Sequence, residues 1–214
     1  MGPLHEESLS PATRETLARL GEQRELAGFY LAGGTGLALQ LGHRLSDDLD
    51  LFTERPWSWE PVAPALTACG TVVIDRAEPG TFVGSVAGVR VSLFHYPYML
   101  LEELARGRFA VPVAGLLDIG CMKLVAVAQR GSRKDFIDLY HLGRTGLTIR
   151  ELLAALPRKM PAVEVNPVHV LRSLAYFEEA EAEPDPVMLA DHDWKTVREY
   201  CLRQADSLLE EIVG

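Results

Sequence analysis

The chain has 214 residues, of which 48% are hydrophobic and 24% charged, and its formal net charge is −9. This balance is that of an ordinary folded protein and excludes disordered, collagen-like and coiled-coil classes. The acidic charge argues against a protein that coats DNA or an anionic membrane non-specifically.

The first half of the chain predicts a mixture of helices and strands. β-Branched and aromatic runs indicate strands, and segments with apolar residues at helical spacing indicate helices. Gly88, between two such runs, predicts a hairpin. The predicted elements are a helix from Ser10–Pro11 to about Gly28, a strand at 29–32, a glycine turn at 33–36, a helix at 37–41, a strand at 48–52, a helix at 61–69 and strands at 71–74, 81–87 and 89–95.

Beyond residue 98 the pattern becomes helical. The predicted helices span 99–106, 117–129, 133–142, 149–156, 168–181 and 194–212. The acidic stretch 178–184 predicts a helix end that runs into a solvated loop. We therefore expect an α/β core in residues 1–115 and a mainly helical region in residues 116–214.

Nothing in the sequence indicates export or insertion into a membrane. The three cysteines lie far apart, so neither a disulfide framework nor a zinc motif is expected. No apolar run approaches the roughly 20 residues of a transmembrane helix, and the first ten residues are acidic where a signal peptide is basic. These features predict a cytoplasmic protein.

Asp48 and Asp50 are the sharpest chemical feature of the sequence. Acids alternate with Leu49 and Leu51 here, so a strand would place both carboxylates on one face and both leucines on the other. Two carboxylates at this spacing can hold a hard divalent cation. The alternative is an exposed strand end with solvated acids.

Gly33, Gly34 and Thr35 stand between a predicted strand and a predicted helix. Backbone N–H groups and the helix dipole at such a position favour a phosphate, and the Thr35 hydroxyl can cap the helix or bind that phosphate. The spacing fits neither the Walker A nor the G-x-G-x-x-G pattern. A plain turn is therefore the alternative.

Lys123 and Arg130 lie seven residues apart on one face of an otherwise apolar helix. A triphosphate would explain two cations there. The alternatives are that Lys123 extends to solvent or pairs with Asp135 or Asp138. Asp135 could also complete a capping box with Ser132.

These segments resemble the AbiEii/AbiGii toxin family of nucleotidyltransferases. The resemblance covers about residues 25–145 and rests on the runs at 31–35, 44–52, 123–130 and 134–140. It implies an α+β fold with a polymerase-β-like nucleotidyltransferase core, in which helices flank a small mixed sheet, and a helical C-terminal region.

The resemblance also implies an activity and residue roles. The activity is Mg²⁺-dependent transfer of NMP from an NTP to a tRNA-like RNA or a protein, by the toxin of a prokaryotic toxin–antitoxin pair with its own antitoxin. The implied roles are phosphate binding by Gly33, Gly34 and Thr35, binding of Mg²⁺ or alternatively Mn²⁺ by Asp48 and Asp50, neutralisation of the triphosphate by Lys123 beside Arg130, and a late catalytic acid at Asp135.

One position departs from the pattern of this fold. A third carboxylate often stands on a neighbouring strand, where this chain has Ser92. Asp75 or Asp135 could substitute, or a single metal binds, or the protein binds nucleotide without transferring it. The alternatives to a transferase are thus a nucleotide-binding or protein-interaction module and a metal-dependent hydrolase.

An RNA acceptor would require a local basic path on this acidic protein. The candidates in sequence are Arg130, Arg133, Lys134, Arg144, Arg150, Arg158 and Lys159.

Overall fold

The structure is a computed structural model that describes residues 4–213, with side chains described up to residue 212. Two 3₁₀ turns, Glu6–Ser8 and Arg24–Leu26, accompany the main elements. The strands are β1 Tyr30–Leu31, β2 Leu49–Thr53, β3 Val72–Glu78, β4 Thr81–Val86 and β5 Val89–His95. The helices are α1 Pro11–Gly21, α2 Gly33–Leu41, α3 Trp59–Cys69, α4 Leu116–Gln129, α5 Arg133–Gly143, α6 Ile149–Lys159, α7 Pro167–Ser173, α8 Glu178–Ala182 and α9 Trp194–Val213.

The five strands form one mixed sheet in the order β1-β2-β5-β4-β3. β2 and β5 run parallel, and the other neighbours are antiparallel. Leu49 and Leu51 of β2 are buried on one face, and α1 and α3 pack near that side of the sheet. The opposite face carries Asp50. The predicted α+β fold, with a small mixed sheet and flanking helices, is confirmed.

The predicted hairpin at Gly88 is confirmed between β4 and β5. Ala87 and Gly88 both have positive φ, of 51° and 80°. Two such residues in succession make the type I′ turn, whose twist matches that of antiparallel strands.

Helices alone make up the regular structure after residue 115 in the described chain, and α4 contacts α2, α5, α6 and α7. One hydrophobic cluster joins this region to the sheet and includes Leu31, Leu51 and Leu124. The division into two domains at residue 115 stays a prediction. Within residues 4–213, no helix combines the length and the apolar character that crossing a bilayer requires.

The helix predicted at 99–106 is wrong, because distant partners take backbone groups that it would use, such as the Ala105 N–H, which donates to the Val113 carbonyl at 2.7 Å. The Asp118 carboxylate accepts hydrogen bonds from the backbone N–H groups of Leu101 and Glu102, each at 3.0 Å. Lys159 donates to Asp118 at 2.5 Å and to the Met99 carbonyl at 2.8 Å. Both charged side chains are fully buried, so Lys159 is not part of a surface path for RNA.

Two other predicted helices have different limits. α1 ends at Gly21 instead of near Gly28, and a 3₁₀ turn follows it. The helix predicted at 168–181 breaks into α7 and α8. The break leaves Phe177 packed against Phe136 and Trp194, with ring centroids 5.0 and 6.0 Å away.

We predict that Asp118→Asn destabilises the protein by about 3–5 kcal/mol, because it leaves the buried Lys159 ammonium without a counter-charge. The free energy of unfolding from chemical denaturation measures this loss. Asp75→Asn is the matched control, since it removes a solvent-exposed pair with Arg90 and should cost about 1 kcal/mol or less. Equal losses in the two variants would contradict the structural role of Asp118.

Candidate active site

A cleft of about 1200 Å³ opens between the sheet, the N-terminus of α2, helices α4 and α5, and the segment 183–187. All the residues predicted from the sequence to be catalytic or to bind nucleotide or metal line this cleft. They are Gly33, Gly34, Thr35, Asp48, Asp50, Lys123, Arg130 and Asp135. Three distant parts of the chain thus meet in one site.

Asp48 and Asp50 come to the cleft through β2. The strand begins at Leu49, so Asp48 lies just before it and is exposed, whereas Asp50 is half-buried. Burial raises the pKa of Asp50; the neighbouring Asp48 charge also raises it, while a hydrogen bond from Ser92 lowers it. Burial and the Asp48 charge therefore disfavour the ionised form of the Asp50 carboxylate.

Asp47, directly beside this pair, has a structural role. Its carboxylate accepts hydrogen bonds from the Ser10 N–H at 3.1 Å and from the Thr13 hydroxyl at 2.9 Å. Partial burial opposes ionisation, but the hydrogen bonds from Ser10 and Thr13 lower the pKa of Asp47 overall. Asp47 therefore fastens the segment before β2 to the start of α1.

The glycine pair forms the first turn of α2 instead of a turn that precedes the helix, so the predicted turn at 33–36 is wrong. Gly33 has φ = +63°, and a Cβ atom there would lie 3.0 Å from an oxygen of Asp50. A Cβ atom at Gly34 would lie 2.5 Å from the Arg44 guanidinium. Positions 33 and 34 therefore have no room for a side chain. The N–H groups of this first turn have no acceptor within the helix and face the cleft.

Thr35 is buried, and its hydroxyl is engaged within the protein. It donates to the backbone carbonyl of Asp48 and lies 2.8 Å from the Ser46 hydroxyl. The side chain therefore fixes the chain that leads into β2. Its predicted role as a phosphate ligand stays a prediction, with the backbone N–H as the available donor.

A buried network of charges lies behind the cleft. The Lys123 ammonium is 2.7 Å from both Asp135 and Asp138, so the pairing alternative for Lys123 is realised with both acids. The Asp138 carboxylate also accepts from Arg44 at 2.7 and 2.9 Å and lies 2.8 Å from a His43 ring nitrogen. Although burial opposes ionisation, Lys123 and Arg44 hold the pKa of Asp138 well below its usual range.

Asp135 links this network to the mouth of the cleft. Its two oxygens accept from Arg130 at 2.8 and 3.1 Å, and one of them also accepts from Lys123. The Arg130 side chain is 65% exposed. Against the effect of burial, these two cations lower the pKa of Asp135. Asp135 is therefore equipped to hold cations in place.

The predicted capping box between Ser132 and Asp135 is absent. Glu183 caps α5 instead, since its carboxylate accepts from the Ser132 hydroxyl at 2.8 Å and from the Arg133 N–H at 2.9 Å. The stretch around Glu183 was predicted as solvated loop, but residues 183–187 form a wall of the cleft. Asp185 accepts from the Arg133 guanidinium at 2.7 Å and so holds that wall to α5.

The position predicted for a third carboxylate is next to Asp50, as expected. Ser92 pairs with Asp50 across the parallel strands β2 and β5. Asp75 lies on the edge strand β3, is paired with Arg90, and does not line the cleft.

Within residues 4–213, no group of three or more His, Cys, Asp or Glu side chains is placed to hold a metal ion. The two hard carboxylates of Asp48 and Asp50 still suit Mg²⁺, which commonly binds through one or two carboxylates and substrate phosphates.

A helix that begins with glycines and faces paired carboxylates on a mixed sheet, with cations from two further helices, defines a nucleotidyltransferase-type site. The model of the family described as "Nucleotidyl transferase AbiEii toxin, Type IV TA system" matches residues 15–98 and 82–212. The chain therefore belongs to the AbiEii nucleotidyltransferase toxin family.

Two further proteins are similar to this chain. An uncharacterized protein of Aquifex aeolicus (strain VF5) is 35% identical over 208 residues, which cover 94% of this chain and 98% of that protein. The solved structure of MenT4, a nucleotidyltransferase toxin from Mycobacterium tuberculosis H37Rv, matches with a TM-score of 0.57 at 16% identity, over 92% of this chain and 81% of that one. The second likeness supports the fold alone.

We predict that two neighbouring acids affect stability in opposite directions. Asp50→Asn should raise the melting temperature in EDTA, because it removes a half-buried charge beside Asp48. Asp47→Asn should lower it, because the carboxylate loses its role as acceptor for Ser10 and Thr13. Thermal unfolding at pH 7 measures both. Shifts of the same sign would contradict the separation of a site acid from a structural acid.

A second prediction concerns His141, whose ring packs 5.0 Å from that of His43. Burial, with further contributions from His43 and other cationic neighbours, lowers the pKa of His141 to about 4. Its contribution to stability is complete above the unfolded-state pKa near 6.5 and is lost as the pH falls toward 4, because only the unfolded chain takes up the proton there. The loss amounts to about 3 kcal/mol.

The free energy of unfolding between pH 7.5 and 4.5 measures this loss. His141→Gln should flatten the pH dependence over that interval. An unchanged slope in the variant would contradict the burial of a neutral imidazole.

Proposed function

We propose that this protein is a Mg²⁺-dependent nucleotidyltransferase that transfers NMP from an NTP to a tRNA-like RNA or a protein acceptor. It would act in the cytoplasm as the toxin of a pair and be controlled by its own antitoxin. The observation that carries the proposal is that the Asp48–Asp50 pair faces the first turn of α2, with Gly33 held against Asp50. Membership of the AbiEii family supports it.

The first turn of α2 supplies the phosphate site in this proposal. Its backbone N–H groups and the helix dipole favour an anion. Arg44 lies beneath Gly34 and adds a buried positive charge. A triphosphate would therefore meet N–H donors on one side and cations on the other.

Asp48 and Asp50 would hold Mg²⁺, or Mn²⁺ in its place, between the nucleotide and the acceptor. The ion supplies neutralisation of the phosphoryl oxygens and activation of the attacking hydroxyl. The chain's part is to hold both carboxylates in fixed positions. Leu49 and Leu51 in the core and the Thr35 bond to the Asp48 carbonyl provide that rigidity.

Lys123 and Arg130 would neutralise the charge that moves to the leaving pyrophosphate. Arg130 is exposed to the cleft and presents a planar fork suited to phosphate. Lys123 is buried and would act through the electrostatic field of its ammonium group. We assign Asp135 to positioning these two cations, in place of the direct acid role predicted from the resemblance. Transfer of this kind depends mainly on positioning and charge neutralisation.

Apolar side chains in the lining of the cleft suit the nucleobase. Phe52 and Phe94 lie side by side on β2 and β5, with ring centroids 5.6 Å apart. Met122 of α4 lines the same cleft. Aromatic faces bind bases by stacking without selecting among them strongly.

Contacts to an RNA acceptor would fall to few of the predicted basic residues. Lys159 is fully buried, and Arg133 and Arg150 are paired with Asp185 and Glu211. Lys134 is exposed at the lining of the cleft and is the best-placed cation.

A second candidate function is a nucleotide-binding or protein-interaction module without turnover. The observation that favours it is Ser92 at the position of the third acid. It predicts NTP binding without transfer, whereas a metal-dependent hydrolase would release phosphate without labelling any acceptor.

Incubation with each labelled NTP, Mg²⁺ or Mn²⁺, and total RNA tests the proposal. We expect metal-dependent label on an acceptor, reduced by about two orders of magnitude or more in the Asp48→Asn/Asp50→Asn double variant. Asp75→Asn, which replaces an acid outside the cleft, is the control and should retain transfer.

The location of the label separates the acceptors. Label on RNA identifies an RNA acceptor, and label on a polypeptide identifies a protein acceptor. Bound NTP without label on either would contradict the transferase and favour the binding module.

A further inference from the structure

Ser92 gives the cleft an incomplete set of acidic ligands. Ser92 is 6% exposed and pairs with Asp50 across the parallel strands β2 and β5. On the next strand, the partner of Ser92 is Val83, which is apolar. At the level of Asp50 in the sheet, neither β5 nor β4 therefore adds a carboxylate.

The other carboxylates that line the cleft are already engaged. Asp47 accepts from Ser10 and Thr13, Asp135 from Lys123 and Arg130, Glu183 from Ser132 and Arg133, and Asp185 from Arg133. Within the part of the chain that the structure describes, Asp48 and Asp50 are the acids of the lining without a salt bridge or a backbone donor.

The network behind Asp50 carries excess positive charge. Lys123, Arg44 and Arg130 make three cations against the two carboxylates of Asp135 and Asp138, which leaves +1. Lys123 and Arg130 line the same cleft as Asp50. The net positive charge of these groups would disfavour a second divalent ion beside Asp50.

Mg²⁺ prefers six oxygen ligands in octahedral geometry. Two carboxylates leave most of these positions to water, so the protein alone offers a weak site. The phosphate oxygens of an NTP would complete the set.

We propose that the cleft binds one divalent cation instead of two, that this cation enters together with the NTP, and that Ser92 is the residue that sets this number. The inference rests on the proposed function. The coupling between metal and nucleotide is reciprocal, so each raises the affinity for the other by the same factor.

Mn²⁺ binding tests this directly without turnover. The purified chain is dialysed against Mn²⁺ with and without the α,β-methylene analogues of ATP, GTP, CTP and UTP, each tested separately. Bound metal and nucleotide are counted, and electron paramagnetic resonance spectra are recorded. We expect no saturable site below millimolar Mn²⁺ without nucleotide, and one Mn²⁺ per bound analogue with an uncoupled spectrum.

Ser92→Asp should restore the second site. We expect two Mn²⁺ per bound analogue and the spectrum of an exchange-coupled pair, since paired catalytic metals lie about 3.5–4 Å apart. Ser92→Ala is the matched control and should retain one ion. Thermal unfolding establishes that both variants fold.

The outcomes separate this inference from the proposed function. Two ions per nucleotide in the wild type, or a micromolar site without nucleotide, would overturn the inference and leave the transferase standing. A single ion in folded Ser92→Asp would overturn the assignment to Ser92. Failure of all four analogues to bind with Mn²⁺ would overturn both the inference and the proposed function.

Discussion

The site depends on the carboxylate of Asp138, which is completely buried and bonded to three basic side chains. Lys123 and Arg44 come from helix α4 and from the segment after α2, and neither charge could be buried there without a counter-ion. One carboxylate thus joins parts of the chain that are up to 95 residues apart. The sheet positions the acids, and Asp138 positions the cations that face them.

Because the sheet positions the acids and Asp138 positions the cations, the cleft has its shape before any ligand binds. Arg44, held by Asp138, lies so close to the first turn of α2 that residue 34 must lack a side chain. Asp50 is half-buried and close to another acid, an environment that disfavours its charged form. A fixed arrangement of opposed charges of this kind is what transfer of a charged group requires, and stability is reduced where function is placed.

The features predicted correctly depend on residues close in sequence. The alternation around Leu49 and Leu51 and the turn at Gly88 are local signals, and the resemblance added the arrangement of the acids. The errors arise where a distant partner decides the local structure. Val113 and Lys159 take backbone groups that a helix at 99–106 would use, and Glu183 replaces the cap expected from Ser132. The periodicity of apolar residues carries no signal for such contacts. The contacts of Asp138 with three basic side chains are likewise visible only in the three-dimensional structure.

The wall of the cleft at residues 183–187 has a consequence for biosynthesis. Asp48, Asp50, the first turn of α2 and the cations of the cleft all leave the ribosome before this wall, which is held by Arg133 and Leu45. Domains generally begin to fold from the N-terminus during synthesis. The acids and cations of the cleft are therefore synthesised before its wall, so a nascent chain exposes an open cleft until the segment 183–187 has emerged.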